Sequence, residues 1–269
     1  MDLVRFEHKG SKYYGVLKGK IYPFEDIDGE EALSEKLLKK FSSSGLMDVS
    51  FTQEEVKLLP FSKQPRLIIG IGLNYLEHAS DLDEKRPDEF PVIFFKTPNT
   101  VIGPGESVII PKLSQRTTGE AELGIVIGRD CHNVTEEDWK DYVAGFVSIL
   151  DMTAEDILKK NTRYLGLSKV FDSFLSLGGH MRTEIQNLED LRVRTVYDGE
   201  VVGGNRIRNM MFSPAKLVSF LSGIVPLKAG DIISTGTPRA SPLSHNGTIR
   251  CDIDGFISLE NTVIDLKVV

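Results

Sequence analysis

The chain has 269 residues, of which 41% are hydrophobic and 26% charged, and its formal net charge is −7. A chain of this length can bury a large hydrophobic core without help from disulfide bonds or bound metal ions, and its composition is ordinary for a globular protein. The acidic balance argues against a nucleic-acid or anionic-membrane partner, so we predict a small-molecule substrate, no nucleic acid and no membrane.

The cysteines and the N-terminus bear on the compartment. Cys131 and Cys251 are far apart and match no metal or redox spacing, which is typical of a protein kept in a reducing compartment. No apolar run reaches the roughly 18 residues of a membrane helix, and the first residues lack the apolar segment of a signal peptide. We therefore expect a cytoplasmic protein.

The first 60 residues predict a small α+β unit. Aromatic and aliphatic residues punctuated by Gly10 and Gly19 are typical of short antiparallel strands. Leucines at helical spacing predict a helix from Glu30 to Phe41. Prolines and polar residues then mark a boundary, so we expect residues 1–62 to form a small N-terminal domain and residues 63–269 to form the main one.

A candidate base follows the first strand of the main domain, which we place at residues 66–72. His78 and Asp81 are three residues apart, so on a helix they would share a face and form a base with an orienting carboxylate. The alternative is a solvated surface pair. The polar, proline-containing residues 82–91 are a candidate lid.

Residues 119–128 read as a strand with two carboxylates on one face. Side chains two apart on a strand point the same way, so Glu120 and Glu122 would project together and repel one another. A solvated edge-strand pair is one interpretation. The other is a hard divalent cation, because all-oxygen ligand sets suit Mg²⁺, Mn²⁺ or Ca²⁺. Asp151 follows an apolar stretch, where a carboxylate is costly unless it is coordinated or hydrogen-bonded.

Six blocks of residues carry a resemblance to a known family. In order and spacing, from residue 66 to the C-terminus, they resemble the fumarylacetoacetate hydrolase family. The blocks are Gly-Leu-Asn-Tyr-x-x-His at 72–78, Phe-Lys-x-Pro at 95–98, Glu-x-Glu-Leu-x-x-Val-Ile-Gly at 120–128, Asp-Met-Thr-Ala at 151–154, Ser-Lys-x-Phe-Asp-x-Phe at 168–174 and Gly-Asp-x-Ile-x-Thr-Gly-Thr-Pro at 230–238.

The resemblance implies an α+β fold, a mixed β-sandwich roll with a small N-terminal α+β domain, and a homodimer as the usual assembly. It implies one Mg²⁺ or Mn²⁺ per subunit, held by Glu120, Glu122 and Asp151. It also assigns Lys169 to the catalytic residues, together with the pair at 78 and 81. The positions that match substrate-binding residues are Asn74, Tyr75, Lys96, Gly236 and Thr237.

The implied activity is hydrolysis of a C–C bond in a 2-oxo acid or 1,3-dicarbonyl compound of the acylpyruvate kind. His78, oriented by Asp81, would activate a water molecule, and Lys169 would steady the developing enolate. Two alternatives remain open. One is a decarboxylase or keto–enol isomerase of a 2-oxo acid such as oxaloacetate, and the other is a non-catalytic homologue that binds a metal or a carboxylate.

The chain departs from the family pattern near the expected site. Asp81 stands where many members have glutamate, and Glu155 and Leu158 stand where arginine and glutamine are frequent. The charge reversal at Glu155 disfavours a dianionic substrate. Positive charge could come instead from Arg116, Arg206 and Arg208.

Overall fold

The computed structural model describes residues 1–76 and 89–269, in which strands are more common than helices. The strands are β1 Asp2–His8, β2 Ser11–Lys18, β3 Lys20–Asp28, β4 Lys57–Leu58, β5 Ile68–Gly72, β6 Val92–Lys96, β7 Val101–Ile102, β8 Ser107–Ile110, β9 Thr117–Ile127, β10 Val143–Ala154, β11 Leu175–Arg182, β12 Arg192–Tyr197, β13 Glu200–Arg206, β14 Ile232–Ser234, β15 Ala240–Pro242, β16 Thr248–Ile253 and β17 Leu259–Asp265.

The helices are short. The α-helices are α1 Glu35–Lys40, α2 Glu155–Lys160, α3 Leu165–Ser168 and α4 Pro214–Ile224. Single 3₁₀ turns occupy Gln53–Glu55, Pro98–Thr100, Trp139–Tyr142, Thr162–Tyr164, Leu188–Asp190 and Ile207–Asn209. In the described part of the chain, no helix is long and apolar enough to span a membrane.

Two sheets form the body of the protein. The larger sheet has the strand order β3-β2-β1-β11-β10-β9-β14-β5-β6, and in addition β15 pairs with β9, β4 with β1 and β7 with β11. The smaller sheet has the order β13-β12-β16-β17-β8. Both mix parallel and antiparallel pairs, since β14 runs parallel to β5 and β8 parallel to β17. The predicted α+β class and mixed sheets are therefore confirmed.

The central strand β9 explains how the core and the site share one segment. Alternate residues Ala121, Leu123 and Ile125 join the apolar core that also contains Val193 of β12 and Ile249 of β16. The intervening side chains point to the opposite face of the sheet. Every residue of β9 is nevertheless buried, because both faces of the sheet are covered here.

The N-terminal strands extend the larger sheet rather than forming a sheet of their own. β1 pairs antiparallel with β11, for example Leu3 with Met181. The division of the chain near residue 62 stays a prediction. Helix α1 begins five residues later than the predicted start at Glu30, because the Ser34 side chain accepts a hydrogen bond from Leu37 N and caps the helix there.

Candidate metal centre

Two neighbouring strands bring three carboxylates together. Glu120 on β9 lies directly opposite Asp151 on β10, and Glu122 is two residues further along β9. One carboxylate oxygen of each residue lies within 4.8 Å of the others. All three side chains are buried, with Asp151 completely enclosed. The structure thus assembles the three residues that the sequence predicted as metal ligands.

Lys169 directly follows helix α3 and inserts its ammonium group into this cluster. Its Nζ donates to Asp151 Oδ2 at 2.5 Å and to Glu120 Oε2 at 3.2 Å, and it lies 4.4 Å from the centroid of the Phe94 ring. Burial alone would lower the pKa of Lys169, but the charges of Asp151 and Glu120 outweigh burial and raise the pKa above its usual value. The side chain is therefore a fixed cation.

Lys96, at the end of β6, approaches the other oxygen of the aspartate. Its Nζ donates to the main-chain carbonyls of Met152 at 3.1 Å and Lys169 at 3.0 Å, and also to that of Phe174, and it contacts Asp151 Oδ1. Burial lowers the pKa of Lys96 to about 8, although the charge of Asp151 opposes the shift. Lys96 therefore cross-links the segments that carry Asp151 and Lys169. Its predicted contact with substrate stays a prediction.

A second set of polar groups holds the two glutamates. Thr153 Oγ1 donates to Glu120 Oε1 at 2.8 Å, and Ser234 Oγ and Gly236 N donate to Glu122 Oε2 at 2.5 and 2.8 Å. Neither Thr153 nor Ser234 is among the site residues predicted from the sequence. Thr153 could have been found, because it lies two residues after Asp151 on the same face of one strand.

We expect Thr153→Val to weaken the apparent Mn²⁺ affinity by about 10- to 100-fold, because groups that orient metal ligands commonly contribute that much. Titration with Mn²⁺ at fixed pH measures the effect. Thr262→Val, on the exposed side of β17, is the matched control and should leave the affinity unchanged. Equal affinities in the two variants would mean that Thr153 does not orient Glu120.

The residues fit a hard divalent cation. All three donors are carboxylates, the ligands that Mg²⁺ and Mn²⁺ accept readily. Asp151 Oδ1 is buried and accepts no hydrogen bond from the described residues, although Lys96 contacts it. This ion pair leaves lone pairs on Oδ1 for a cation. Glu120, Glu122 and Asp151 would hold the ion.

Glu122 makes metal binding depend on pH. Burial, together with the charges of Asp151 and Glu120, raises the pKa of Glu122 to about 8 in the metal-free protein, so a cation must displace a proton below that pH. We expect the apparent Mn²⁺ affinity to rise from about pH 6 to pH 8, by up to about tenfold per unit, and then to level off. Titrations across that range test this, and a flat profile would contradict it.

The raised pKa of Glu122 also determines whether the stability of the metal-free protein rises or falls with pH. The ordinary pKa of a glutamate is 4.5, so between 4.5 and about 8 the folded state binds more protons than the unfolded state. This contribution to stability is therefore present at low pH and is lost as the pH rises through that window. Mn²⁺ should reverse the loss by replacing the proton.

Of the remaining predicted site residues, some lie in the described part of the chain and some lie outside it. Asn74 and Tyr75 are fully buried, Gly236 bonds Glu122, and Thr237 Oγ1 bonds the main chain of Arg239. The structure therefore places Gly236 against the acidic cluster and Thr237 beside it in the chain. His78, Asp81 and the first part of the predicted lid lie outside the described residues.

The arginines proposed as alternative sources of positive charge are each paired with an acid. Arg116 forms an ion pair with Glu155, which also binds Lys159 at 2.7 Å. Arg206 and Arg208 contact Asp190. In the described structure, then, the reversed charge at Glu155 is balanced by its own neighbours.

Comparisons with known proteins show similarity over most of the chain. Residues 67–264 match the family model for the fumarylacetoacetate (FAA) hydrolase C-terminal domain. An uncharacterized protein of Archaeoglobus fulgidus is 38% identical over 212 residues, which cover 78% of this chain and 83% of that protein. The mitochondrial oxaloacetate tautomerase fahd2 of Xenopus laevis is 34% identical over 224 residues, covering 79% and 70%.

A solved structure shows the same fold. Fumarylacetoacetate hydrolase from Exiguobacterium antarcticum superposes with a TM-score of 0.84 at 26% identity, over 98% of this chain and 99% of that one. The β-sandwich roll expected from the motifs is therefore confirmed.

Proposed function

Because the chain belongs to the fumarylacetoacetate hydrolase family, we propose that it is a divalent-metal-dependent enzyme that hydrolyses a C–C bond in an acylpyruvate-like 2-oxo acid or 1,3-dicarbonyl compound. The observation that carries this proposal is the buried triad of Glu120, Glu122 and Asp151 with the Lys169 ammonium inside it. Mg²⁺ or Mn²⁺ is the cofactor we propose, one per subunit.

The protein groups have distinct tasks in this proposal. A cation held by the triad would supply Lewis-acid polarisation of a substrate oxygen. Lys169 stays protonated, so it acts as a donor to an oxygen that gains negative charge rather than as a base. Lys96 holds the main chain at Met152 and at Lys169. The Asp151 carboxylate and the Lys169 ammonium group therefore keep their spacing as negative charge develops on the substrate.

The water-activating step is assigned to His78 with Asp81, on their match to the family motif. His78→Ala should therefore reduce hydrolysis far more than any decarboxylation of the same class of substrate, because decarboxylation needs no attacking water. Product analysis of both reactions measures the ratio. Equal losses would remove His78 from the role of base.

A second candidate is keto–enol tautomerisation of a 2-oxo acid such as oxaloacetate. The 34% identical relative named oxaloacetate tautomerase favours it. The site suits this reaction as well, because enolisation and C–C cleavage share an enolate that Lys169 can stabilise. Decarboxylation of oxaloacetate would pass through the same enolate.

One assay separates these reactions. The enol absorbance of acylpyruvates and oxaloacetate is followed with Mg²⁺ or Mn²⁺ and again with a chelator, and the products are identified. Two acids from one acylpyruvate would support the hydrolase, CO₂ release a decarboxylase, and faster enol decay with no new product a tautomerase. No metal-dependent turnover of any of them would overturn the proposal and favour a binding protein.

We also propose that the chain works as a cytoplasmic homodimer, in line with the assembly implied by the family motifs. Light scattering after gel filtration would test the dimer. A monomeric mass at micromolar concentration would contradict it.

A further inference from the structure

One peptide group links a buried asparagine to the carboxylate of Glu122. Asn74 Nδ2 donates to the carbonyl of Thr235 at 2.8 Å, and the N–H of the same peptide, on Gly236, donates to Glu122 Oε2 at 2.8 Å. A trans peptide is planar, and its C=O and N–H point in opposite directions. Holding the carbonyl therefore aims the N–H at the carboxylate.

Glycine at position 236 would permit this peptide to rotate if its carbonyl were not held. Gly236 has a φ of +92°, in the left-handed region, and glycine accepts either sign of φ at low cost. Rotation of the peptide by half a turn would turn the Thr235 carbonyl toward Glu122 and would break the hydrogen bond from Gly236 N to Oε2. A glycine is required here, because a Cβ on Gly236 would lie 2.9 Å from Ile71 O and 2.8 Å from Asn74 Cβ.

Asn74 is itself held rigidly. Its second amide hydrogen bonds Phe212 O at 3.0 Å, its Oδ1 accepts from Phe212 N at 2.8 Å, and its own carbonyl accepts from Met211 N at 2.9 Å. Its side chain is fully buried. Thr235 is fixed as well, since its N and Oγ1 both bond Leu123 O.

We propose that Asn74 is a positioning residue that locks the Thr235–Gly236 peptide and so orients Glu122 for the cation. Oε2 of Glu122 is then occupied by two protein donors, Ser234 Oγ and Gly236 N, and the other carboxylate oxygen is left for the ion. This inference rests on the proposed metal-binding role of Glu122. It gives Asn74 a task that needs no contact with substrate.

The test uses Asn74→Ala, with Asn261→Ala as the matched control. Asn261 is also buried, and its amide also donates to two main-chain carbonyls, of Gly103 and Glu106, each at 2.8 Å. Both variants lose two hydrogen bonds from a buried side-chain amide to main-chain carbonyls, and Asn74→Ala also loses the bond that its Oδ1 accepts from Phe212 N. Hydrogen exchange of the Gly236 amide in metal-free, ¹⁵N-glycine-labelled protein and a Mn²⁺ titration are measured on both.

In Asn74→Ala we expect the Gly236 amide to exchange at least about tenfold faster and Mn²⁺ to bind about 10- to 100-fold more weakly per folded molecule. In Asn261→Ala we expect neither change, although its melting temperature should fall. If Asn74→Ala does not fold, Asn74→Ser replaces it. An unchanged Gly236 amide would overturn the proposal, and so would failure of both Asn74 variants to fold while Asn261→Ala folds.

The amide measurement requires neither metal nor turnover. If wild-type protein bound no Mn²⁺, the proposed function would fail, while protection of Gly236 would still report whether Asn74 locks the peptide. An accelerated Gly236 amide with unchanged Mn²⁺ affinity would show that the lock exists but does not orient Glu122, which would overturn the positioning role alone.

Discussion

Glu122→Gln should reduce metal-dependent turnover by about a thousandfold. Loss of one of three carboxylate ligands removes several kcal/mol of charge stabilisation, and about 4 kcal/mol corresponds to that factor. The amide keeps the volume of the side chain, and its oxygen can still accept from Ser234 and Gly236. Initial rates at several Mn²⁺ concentrations measure the effect, since weaker binding and lost chemistry then separate.

The fold should survive this change, which makes the result interpretable. The raised pKa of Glu122 means that the metal-free folded protein carries this group largely protonated at neutral pH, so an uncharged amide costs little. The melting temperature without metal should be equal to or above that of the wild type. Wild-type rates in Glu122→Gln would rule out the triad as the catalytic metal site.

Lys169→Met should have opposite effects on turnover and on metal binding. Turnover should fall by about 100- to 1,000-fold, the usual cost of removing one donor from a site of developing negative charge. Mn²⁺ should bind more tightly, because the ammonium that now neutralises Glu120 and Asp151 is gone. If Lys169 were merely structural, its replacement would lower both turnover and Mn²⁺ affinity. Rate measurements and Mn²⁺ titrations on the same preparation test whether turnover falls while Mn²⁺ affinity rises.

The thermal stability of Lys169→Met is a further test, beside its turnover and its Mn²⁺ affinity. Removing one partner of a buried ion pair leaves unpaired charge and costs about 3–5 kcal/mol, so metal-free Lys169→Met should melt early and Mn²⁺ should largely restore it. Lys159→Met is the control, because Lys159 is exposed and pairs with Glu155 instead. Parallel losses of Mn²⁺ affinity and turnover in Lys169→Met would refute its role as a donor to developing charge.

The acidic cluster could be anticipated from local rules. The two-residue period of a strand places Glu120 and Glu122 on one face, and a carboxylate after an apolar run, as at Asp151, needs a partner. These rules apply within one segment, so they require no knowledge of the fold. The family motifs then joined the two segments, and the register of β9 against β10 agrees with them.

The surroundings of the cluster could not be anticipated in the same way. Lys96 bonds the carbonyls of Met152, Lys169 and Phe174, which lie 56 to 78 residues away along the chain. The periodicity of hydrophobic residues in the sequence does not predict such contacts, because they depend on how the strands are ordered in the sheet. The pairing of β1 with β11 is hidden for the same reason.

The central claim is that Glu120, Glu122 and Asp151 form one cation site in each chain, and Mn²⁺ binding followed by electron paramagnetic resonance tests it most directly. At about pH 8 we predict one Mn²⁺ per wild-type chain. We predict at least about tenfold weaker binding in Glu120→Gln, Glu122→Gln and Asp151→Asn, each shown to be folded. Absence of Mn²⁺ binding by the wild type, or unchanged binding in all three variants, would contradict the claim.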